Sequence, residues 1–195
     1  MIEIRYAQIR SLDLSNGEGV GVALFVQGCH FHCENCFNPE TWDFDGGKEW
    51  TEEVKNKFLE LANKSYIKRI SILGGEPLAK ENLDDVLDLV NEFRLSSPQK
   101  SIWIYTGYKV ISVDSEYGSI IFDRDNEDII KQFTYKSVIN HNKRINIASM
   151  CDVIVDGRYV DSQRNISLSY RGSQNQRLID VKQSLQKGEI VLWQT

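Results

Sequence analysis

The sequence predicts an α/β fold built around a parallel sheet. Short apolar runs rich in β-branched residues alternate with amphipathic helical patterns, and the 195-residue length suits one domain, residues 1–195. Alternating strands and helices form parallel sheets with right-handed crossovers. A complete eight-unit barrel needs about 250 residues, so we expect an open doubly wound sheet or an incomplete barrel.

The first part of the chain carries two strand patterns and one helix pattern. Ile2, Ile4 and Tyr6 alternate with polar residues and predict a strand, and residues 20–27 form an apolar run between glycines that predicts a buried one. Thr51 is the expected N-cap of a helix whose apolar positions recur at helical spacing: Val54, Phe58 and Leu61.

The remainder of the chain repeats the alternation. Asn82 is the expected N-cap of a second helix, and residues 127–138 carry a third helix pattern. Residues 111–125 are ambiguous. Four further strands are predicted, at residues 67–73, 101–106, 152–156 and 189–193.

Composition and charge limit the classes of function. The chain has 28 acidic and 23 basic residues and a net charge of −5, which argues against general binding of nucleic acid or of an anionic membrane. The apolar run at residues 22–26 is far shorter than the roughly 18 residues of a membrane span. The charged N-terminal residues do not resemble a signal peptide, so we expect a reducing cytoplasm and cysteines that act as thiols or metal ligands.

Three cysteines, Cys29, Cys33 and Cys36, lie on one short segment directly after a predicted strand. Three thiolates at this C-x3-C-x2-C spacing can hold three irons of a cubane cluster and leave the fourth iron open to a substrate. Cys151 stands alone in an apolar run and is interpreted as a small buried hydrophobic residue.

A zinc site is the competing interpretation of the cysteine segment, with His30 or His32 as a fourth ligand. Structural zinc sites usually have two pairs of ligands separated by a spacer. All the ligands here would lie on one loop, so the spacing favours the iron–sulfur cluster.

A second motif, Gly74, Gly75, Glu76 and Pro77, ends the strand predicted at residues 67–73. The carboxyl ends of parallel strands meet at one edge of a sheet, so we expect this turn beside the cysteine segment. Glycine lets the backbone approach a ligand closely, and the Glu76 carboxylate is a suitable acceptor for an ammonium group.

The two motifs together resemble those of the radical S-adenosylmethionine enzymes. Within that superfamily the chain resembles the activating proteins of anaerobic ribonucleoside-triphosphate reductase. The resemblance extends over nearly the whole chain, in residues 16–19, 24–29, 36–42, 106–108, 152–157 and 171–177.

The resemblance implies an incomplete TIM-like βα barrel with a parallel sheet and a catalytic [4Fe-4S] cluster on the three cysteines. It further implies reductive cleavage of S-adenosylmethionine, a glycyl radical installed on the reductase, and a low-potential electron donor such as flavodoxin or ferredoxin. An activator of another glycyl-radical enzyme and a non-catalytic zinc-binding module remain the alternatives.

The resemblance also implies positions for the cofactor contacts. Asn35 stands where many enzymes of the superfamily have an aromatic residue, and Phe37 supplies the ring one position after the third cysteine. We therefore expect S-adenosylmethionine to be held by Asn35, Cys36 and Phe37 together with Gly74, Gly75 and Glu76. Arg171 and Arg177 are candidates to dock the reductase through its carboxylates or carbonyls, with contact of one of them to the nucleoside as the alternative. Residues 109–150 form a longer connection than the family implies.

Overall fold

The computed structural model describes residues 4–123 and 135–194, apart from the side chains of residues 135–137. Seven strands form the main sheet: β1 (Arg5–Asp13), β2 (Gly21–Val26), β3 (Lys48–Glu49), β4 (Arg69–Gly74), β5 (Ser101–Thr106), β8 (Val153–Asp156) and β9 (Arg177–Asp180). A separate hairpin consists of β6 (Val110–Asp114) and β7 (Ser119–Phe122). The described helices are α1 (Glu52–Asn63), α2 (Leu83–Ser96), α3 (Tyr135–Met150) and α4 (Val181–Lys187).

The main sheet is mixed, with the strand order β3-β1-β2-β4-β5-β8-β9. The four central strands β2, β4, β5 and β8 are parallel, as predicted. The wholly parallel sheet that we expected is wrong, because β1, β3 and β9 pair antiparallel to their neighbours. No α-helix lies between β1 and β2 or between β8 and β9, and parallel pairing needs such a crossover.

All of the described α-helices cover one face of the sheet. Their buried apolar side chains join a single cluster with alternate strand residues such as Ile102 and Ile104 of β5. The side chains of Trp103 and Tyr105 belong to clusters on the opposite face, which carries no described α-helix. Within residues 4–123 and 135–194 the sheet therefore lacks the second helical layer of a doubly wound fold, and β3 and β9 remain at opposite edges of an open sheet.

Local sequence signals predict where most helices and strands lie, but not every hydrogen bond at their ends. Thr51 caps α1, since its hydroxyl oxygen accepts the Val54 N–H at 3.3 Å. Asn82 precedes α2, but its side chain makes no capping bond. Its amide instead donates to the carbonyl oxygens of Gln27 at 3.0 Å and Glu76 at 2.9 Å, which ties two site loops together.

Three other segments do not have the structure that the sequence predicts, or are described only in part. Residues 111–125 contribute to the β6–β7 hairpin. Most of the helix expected at residues 127–138 lies outside the described residues, and α3 is described only from Tyr135 onward. The strand expected at residues 189–193 is absent from the described chain, where only an isolated bridge joins Leu192 to Ile179. None of the described helices has the length and apolarity needed to cross a membrane.

Candidate functional site

A cavity of about 510 Å³ lies along the face of the sheet that carries no described α-helix, and we call it the trough. Phe25, Leu73 and Tyr105, on three neighbouring parallel strands, form its floor. The loops that follow β2, β4, β5 and β8 line one end, and Arg10 and Asn16 line the other. The trough therefore begins at the carboxyl edge of the parallel strands, where ligands bind in folds of this type.

The cysteine segment follows β2 and brings Cys29, Cys33 and Cys36 to the wall of the trough. Two residues of this segment, His32 and Asn35, have left-handed backbone conformations with φ of 44° and 53°. Non-glycine residues adopt such conformations rarely, so the tight course of this loop is a specific feature of the structure. All three thiols are partly exposed, as ligands of a bound group must be.

Burial makes the thiols of Cys29 and Cys33 reluctant to ionise. It raises the pKa of Cys29 to about 11, with a further contribution from the negative charge of Glu76. Burial also raises the pKa of Cys33, and the neighbouring Cys36 adds to this effect. Thiolates at this site therefore require a cationic group in direct contact, as metal ligation provides.

The donors around the thiols fit an iron–sulfur cluster. The Asn38 N–H donates to the Cys36 sulfur at 3.4 Å, an interaction of the kind that stabilises cluster ligands. The buried Trp42 Nε1 also lines the trough, and within the described chain it has no hydrogen-bond partner. An acceptor supplied by a bound group would satisfy this donor.

The two histidines do not complete a zinc site. His30 Nε2 lies 3.0 Å from Glu81 Oε2, and the His32 ring stacks on Trp42 with centroids 4.7 Å apart. Among the described residues, no three His, Cys, Asp or Glu side chains are grouped to hold a single metal ion. The separated thiols fit a larger group better than one ion.

The glycine turn lies beside the cysteine segment, in the arrangement expected from strand order. The Gly75 N–H donates to the Val26 carbonyl at 2.9 Å, and the Glu76 N–H donates to the Gly28 carbonyl at 2.8 Å. A Cβ at Gly75 would collide with the Gly28 carbonyl, so glycine is required for this close approach.

The Glu76 carboxylate is buried and already has three protein donors. It accepts hydrogen bonds from the Leu78 N–H at 2.8 Å, the Thr106 hydroxyl at 2.8 Å and the Gly107 N–H at 2.7 Å. Burial nevertheless raises its pKa to about 7. A carboxylate has about four acceptor positions, so one remains for a ligand, and binding of an ammonium group by Glu76 stays a prediction.

The other residues expected to contact the cofactor divide into two groups. Gly74, Gly75 and the Phe37 ring line the trough, and the ring lies 4.9 Å from that of Tyr159. Asn35 is not among the lining residues, because its side-chain amide donates to Asp161 Oδ2 at 3.0 Å. A contact from the Asn35 backbone stays a prediction.

The two arginines expected to dock a partner have different positions. Arg177 on β9 donates to both carboxylate oxygens of the buried Asp156 and to the Val110 carbonyl, at 2.7 Å. It links β9, β8 and the hairpin and does not line the trough. A docking role for Arg177 stays a prediction. Arg171 does line the trough.

Sequence reasoning overlooked Tyr105 and the indole nitrogen of Trp42. Tyr105 precedes the end of β5 and faces away from Ile104, so strand alternation together with the position of the strand end predicts that it lies in the trough. The position of Trp42, six residues after Cys36, is a weaker signal.

Comparisons with known proteins agree with this geometry. Residues 15–179 match the model of a family described as a 4Fe-4S single cluster domain. The chain is 31% identical to the anaerobic ribonucleoside-triphosphate reductase-activating protein of Escherichia coli (strain K12), over 89% of this chain and 96% of that protein. The protein of the same name from Enterobacteria phage T4 is 33% identical, over 90% and 93%. The one from Haemophilus influenzae is 28% identical, over 89% and 96%.

Proposed function

The chain belongs to the family of anaerobic ribonucleoside-triphosphate reductase-activating proteins, and on that premise we propose that it installs a glycyl radical on such a reductase by reductive cleavage of S-adenosylmethionine. One observation carries the proposal: the three thiols and the glycine turn line the same end of one trough. The cysteines that would hold a cluster and a backbone turn that a ligand can approach closely therefore line the same cavity.

Cys29, Cys33 and Cys36 are the residues that would hold the cluster. When bound, a [4Fe-4S] cluster with three protein ligands supplies an electron to S-adenosylmethionine and leaves one iron open to that molecule. The protein keeps the three thiols at the trough wall and directs the Asn38 N–H toward the Cys36 sulfur.

The remaining contacts orient S-adenosylmethionine and shield it from water. Gly74 and Gly75 have no side chains, so a ligand can approach their backbone closely. The Glu76 carboxylate stabilises this turn by accepting hydrogen bonds from the Thr106 hydroxyl and the Gly107 N–H, at the end of β5. The Phe37 ring offers an apolar surface for the adenine, next to the backbone of Asn35 and Cys36. Positioning of this kind is the contribution a protein makes to cofactor chemistry.

The architecture suits a protein substrate. We assign the open sheet, with its described helices on one face, to an incomplete βα barrel of the radical S-adenosylmethionine type. An open trough gives a glycine on another protein's loop access to the reacting centre. We further propose a cytoplasmic protein that receives electrons from a flavodoxin or ferredoxin.

Anaerobically prepared protein tests the proposal in three measurements on the same sample: iron with acid-labile sulfide, 5′-deoxyadenosine formed from S-adenosylmethionine, and the glycyl signal of the reductase in electron paramagnetic resonance. We expect all three to be positive. Zinc without sulfide would support the non-catalytic module. A glycyl signal only on a different glycyl-radical protein would identify another activator.

A further inference from the structure

Besides Trp42 Nε1, two buried donors line the trough without a partner among the described residues. The Tyr105 hydroxyl and the Arg171 Nε are both inaccessible to solvent, and neither has a hydrogen-bond partner in residues 4–123 and 135–194. A buried polar group without a partner costs free energy comparable to a lost hydrogen bond. Unpaired groups of this kind, facing one cavity, indicate a ligand that supplies the missing acceptors.

Tyr105 lies at the β5 side of the floor. It packs against the cluster that contains Phe25 and Leu73 and also against the cluster that contains Trp103. Burial raises the pKa of Tyr105 far above its usual range. The hydroxyl therefore keeps its proton at any physiological pH and is available as a neutral donor.

Arg171 lies in a segment of the trough wall that hydrogen bonds and ring packing fix in place. The Gln176 side-chain oxygen accepts the N–H groups of Gly172 at 3.0 Å and Ser173 at 3.2 Å. Tyr170, the residue before Arg171, has a left-handed backbone with φ of 58°, and its ring packs edge-on against Trp103 at 5.2 Å. Such strain persists only where the surroundings enforce it, and it is common at ligand-binding positions.

The trough requires oxygen acceptors from its ligand. Its buried carboxylate, Glu76, already receives three protein hydrogen bonds. S-adenosylmethionine, through its carboxylate, ribose and adenine acceptors, and the main-chain carbonyls of a bound polypeptide are the available sources. A polypeptide fits better, because its carbonyls recur at every residue and can reach both the floor and the wall.

We propose that the Tyr105 hydroxyl and the Arg171 Nε–H bind main-chain carbonyl oxygens of the extended, glycine-bearing segment of the reductase. This inference rests on the proposed function and adds the residues that hold the protein substrate. Recognition through the main chain positions the glycine independently of neighbouring side chains.

Tyr105→Phe and Arg171→Met test the proposal, because each removes the donor and leaves an apolar side chain that follows the same course. Matched controls are Tyr117→Phe, at the exposed hairpin tip, and Lys57→Met, on the exposed side of α1. Affinity for the reductase and for S-adenosylmethionine is measured by anaerobic titration of the iron-loaded proteins. Circular dichroism melting shows whether each variant is folded.

We expect each trough variant to bind the reductase about threefold to tenfold more weakly, as loss of one hydrogen bond implies. Affinity for S-adenosylmethionine should stay within about twofold, and both controls should behave as the unsubstituted protein. Unchanged reductase affinity in both trough variants overturns the proposal. A parallel loss of S-adenosylmethionine affinity assigns the donors to the cofactor and also overturns the proposal.

A synthetic peptide centred on the reductase glycine gives a second test. Replacing one main-chain carbonyl at a time by a thioamide weakens the acceptor at that position, and the comparison with Tyr105→Phe separates this effect from the larger sulfur atom and the stronger N–H donor. At one position the thioamide should weaken binding to the unsubstituted protein but not to Tyr105→Phe, as a double-mutant cycle requires. Equal losses in both proteins at every position contradict the proposal. Failure of the proposed function is separate, because it appears as absent iron or absent cleavage in the unsubstituted protein.

Discussion

The Glu76 carboxylate at the end of β4 accepts the hydroxyl hydrogen of Thr106 at the end of β5, with 2.8 Å between the oxygens. The same carboxylate accepts the Gly107 N–H, and the Glu76 N–H reaches back to the Gly28 carbonyl. One buried acid therefore connects the loops that follow three neighbouring strands. The cysteine segment and the glycine turn owe their relative position partly to this connection.

Replacing Glu76 by Ala tests both roles of the carboxylate. The loss leaves buried donors unpartnered, so the free energy of unfolding should fall by about 1–3 kcal/mol. Under the proposed function, S-adenosylmethionine affinity should fall roughly ten- to hundredfold, while the iron content stays unchanged. Chemical denaturation and titration of the cluster spectrum measure the two effects, with Glu60→Ala as the exposed control. Unchanged affinity would remove Glu76 from the binding site.

The buried Glu76 should also give stability a distinctive pH dependence. Its pKa is about 7 in the folded chain against 4.5 ordinarily, so between these values the folded state binds more protons than the unfolded state. The free energy of unfolding should then decrease as pH rises through this window. Glu76→Gln does not titrate and should show a shallower decrease in urea unfolding between about pH 5 and about pH 8. Identical slopes would mean that another group titrates there.

Alanine at Cys29, Cys33 or Cys36 should abolish the binding of about four irons per chain and the cleavage of S-adenosylmethionine. Cys151→Ala should retain both, because the Cys151 thiol is buried and donates to the Ile147 carbonyl at 3.2 Å. Iron and sulfide analysis of the four variants makes the comparison. Loss of iron in the Cys151 variant alone would show that the three-ligand assignment is wrong.

Arg177→Gln should destabilise the fold while leaving the trough intact. It breaks the pair with the buried Asp156, and because Arg177 is partly exposed we expect a loss of about 2–3 kcal/mol. Arg171→Met, which removes an unpartnered donor, should change the melting temperature little. Thermal melting and reductase titration of both variants decide the matter. Weaker reductase binding by a fully stable Arg177→Gln protein would instead support a docking role for Arg177.

The sequence by itself determined the local features. Cysteine spacing, the glycine turn and the apolar runs that become β2, β4, β5 and β8 are short-range patterns, because strand periodicity and loop chemistry depend on neighbouring residues. Parallel strand order then placed Cys29 and Gly75 at one edge.

Only the tertiary structure decided which partner each polar group has. Asn82 and Thr51 both precede helices, yet only Thr51 caps one, because the Asn82 amide meets two carbonyls brought near by the sheet. Arg171 and Arg177 belong to one polar stretch, yet Asp156 lies beside Arg177 alone. Such contacts depend on the pairing of strands that are far apart in the chain. Local propensity does not indicate which distant group will lie beside a given polar side chain.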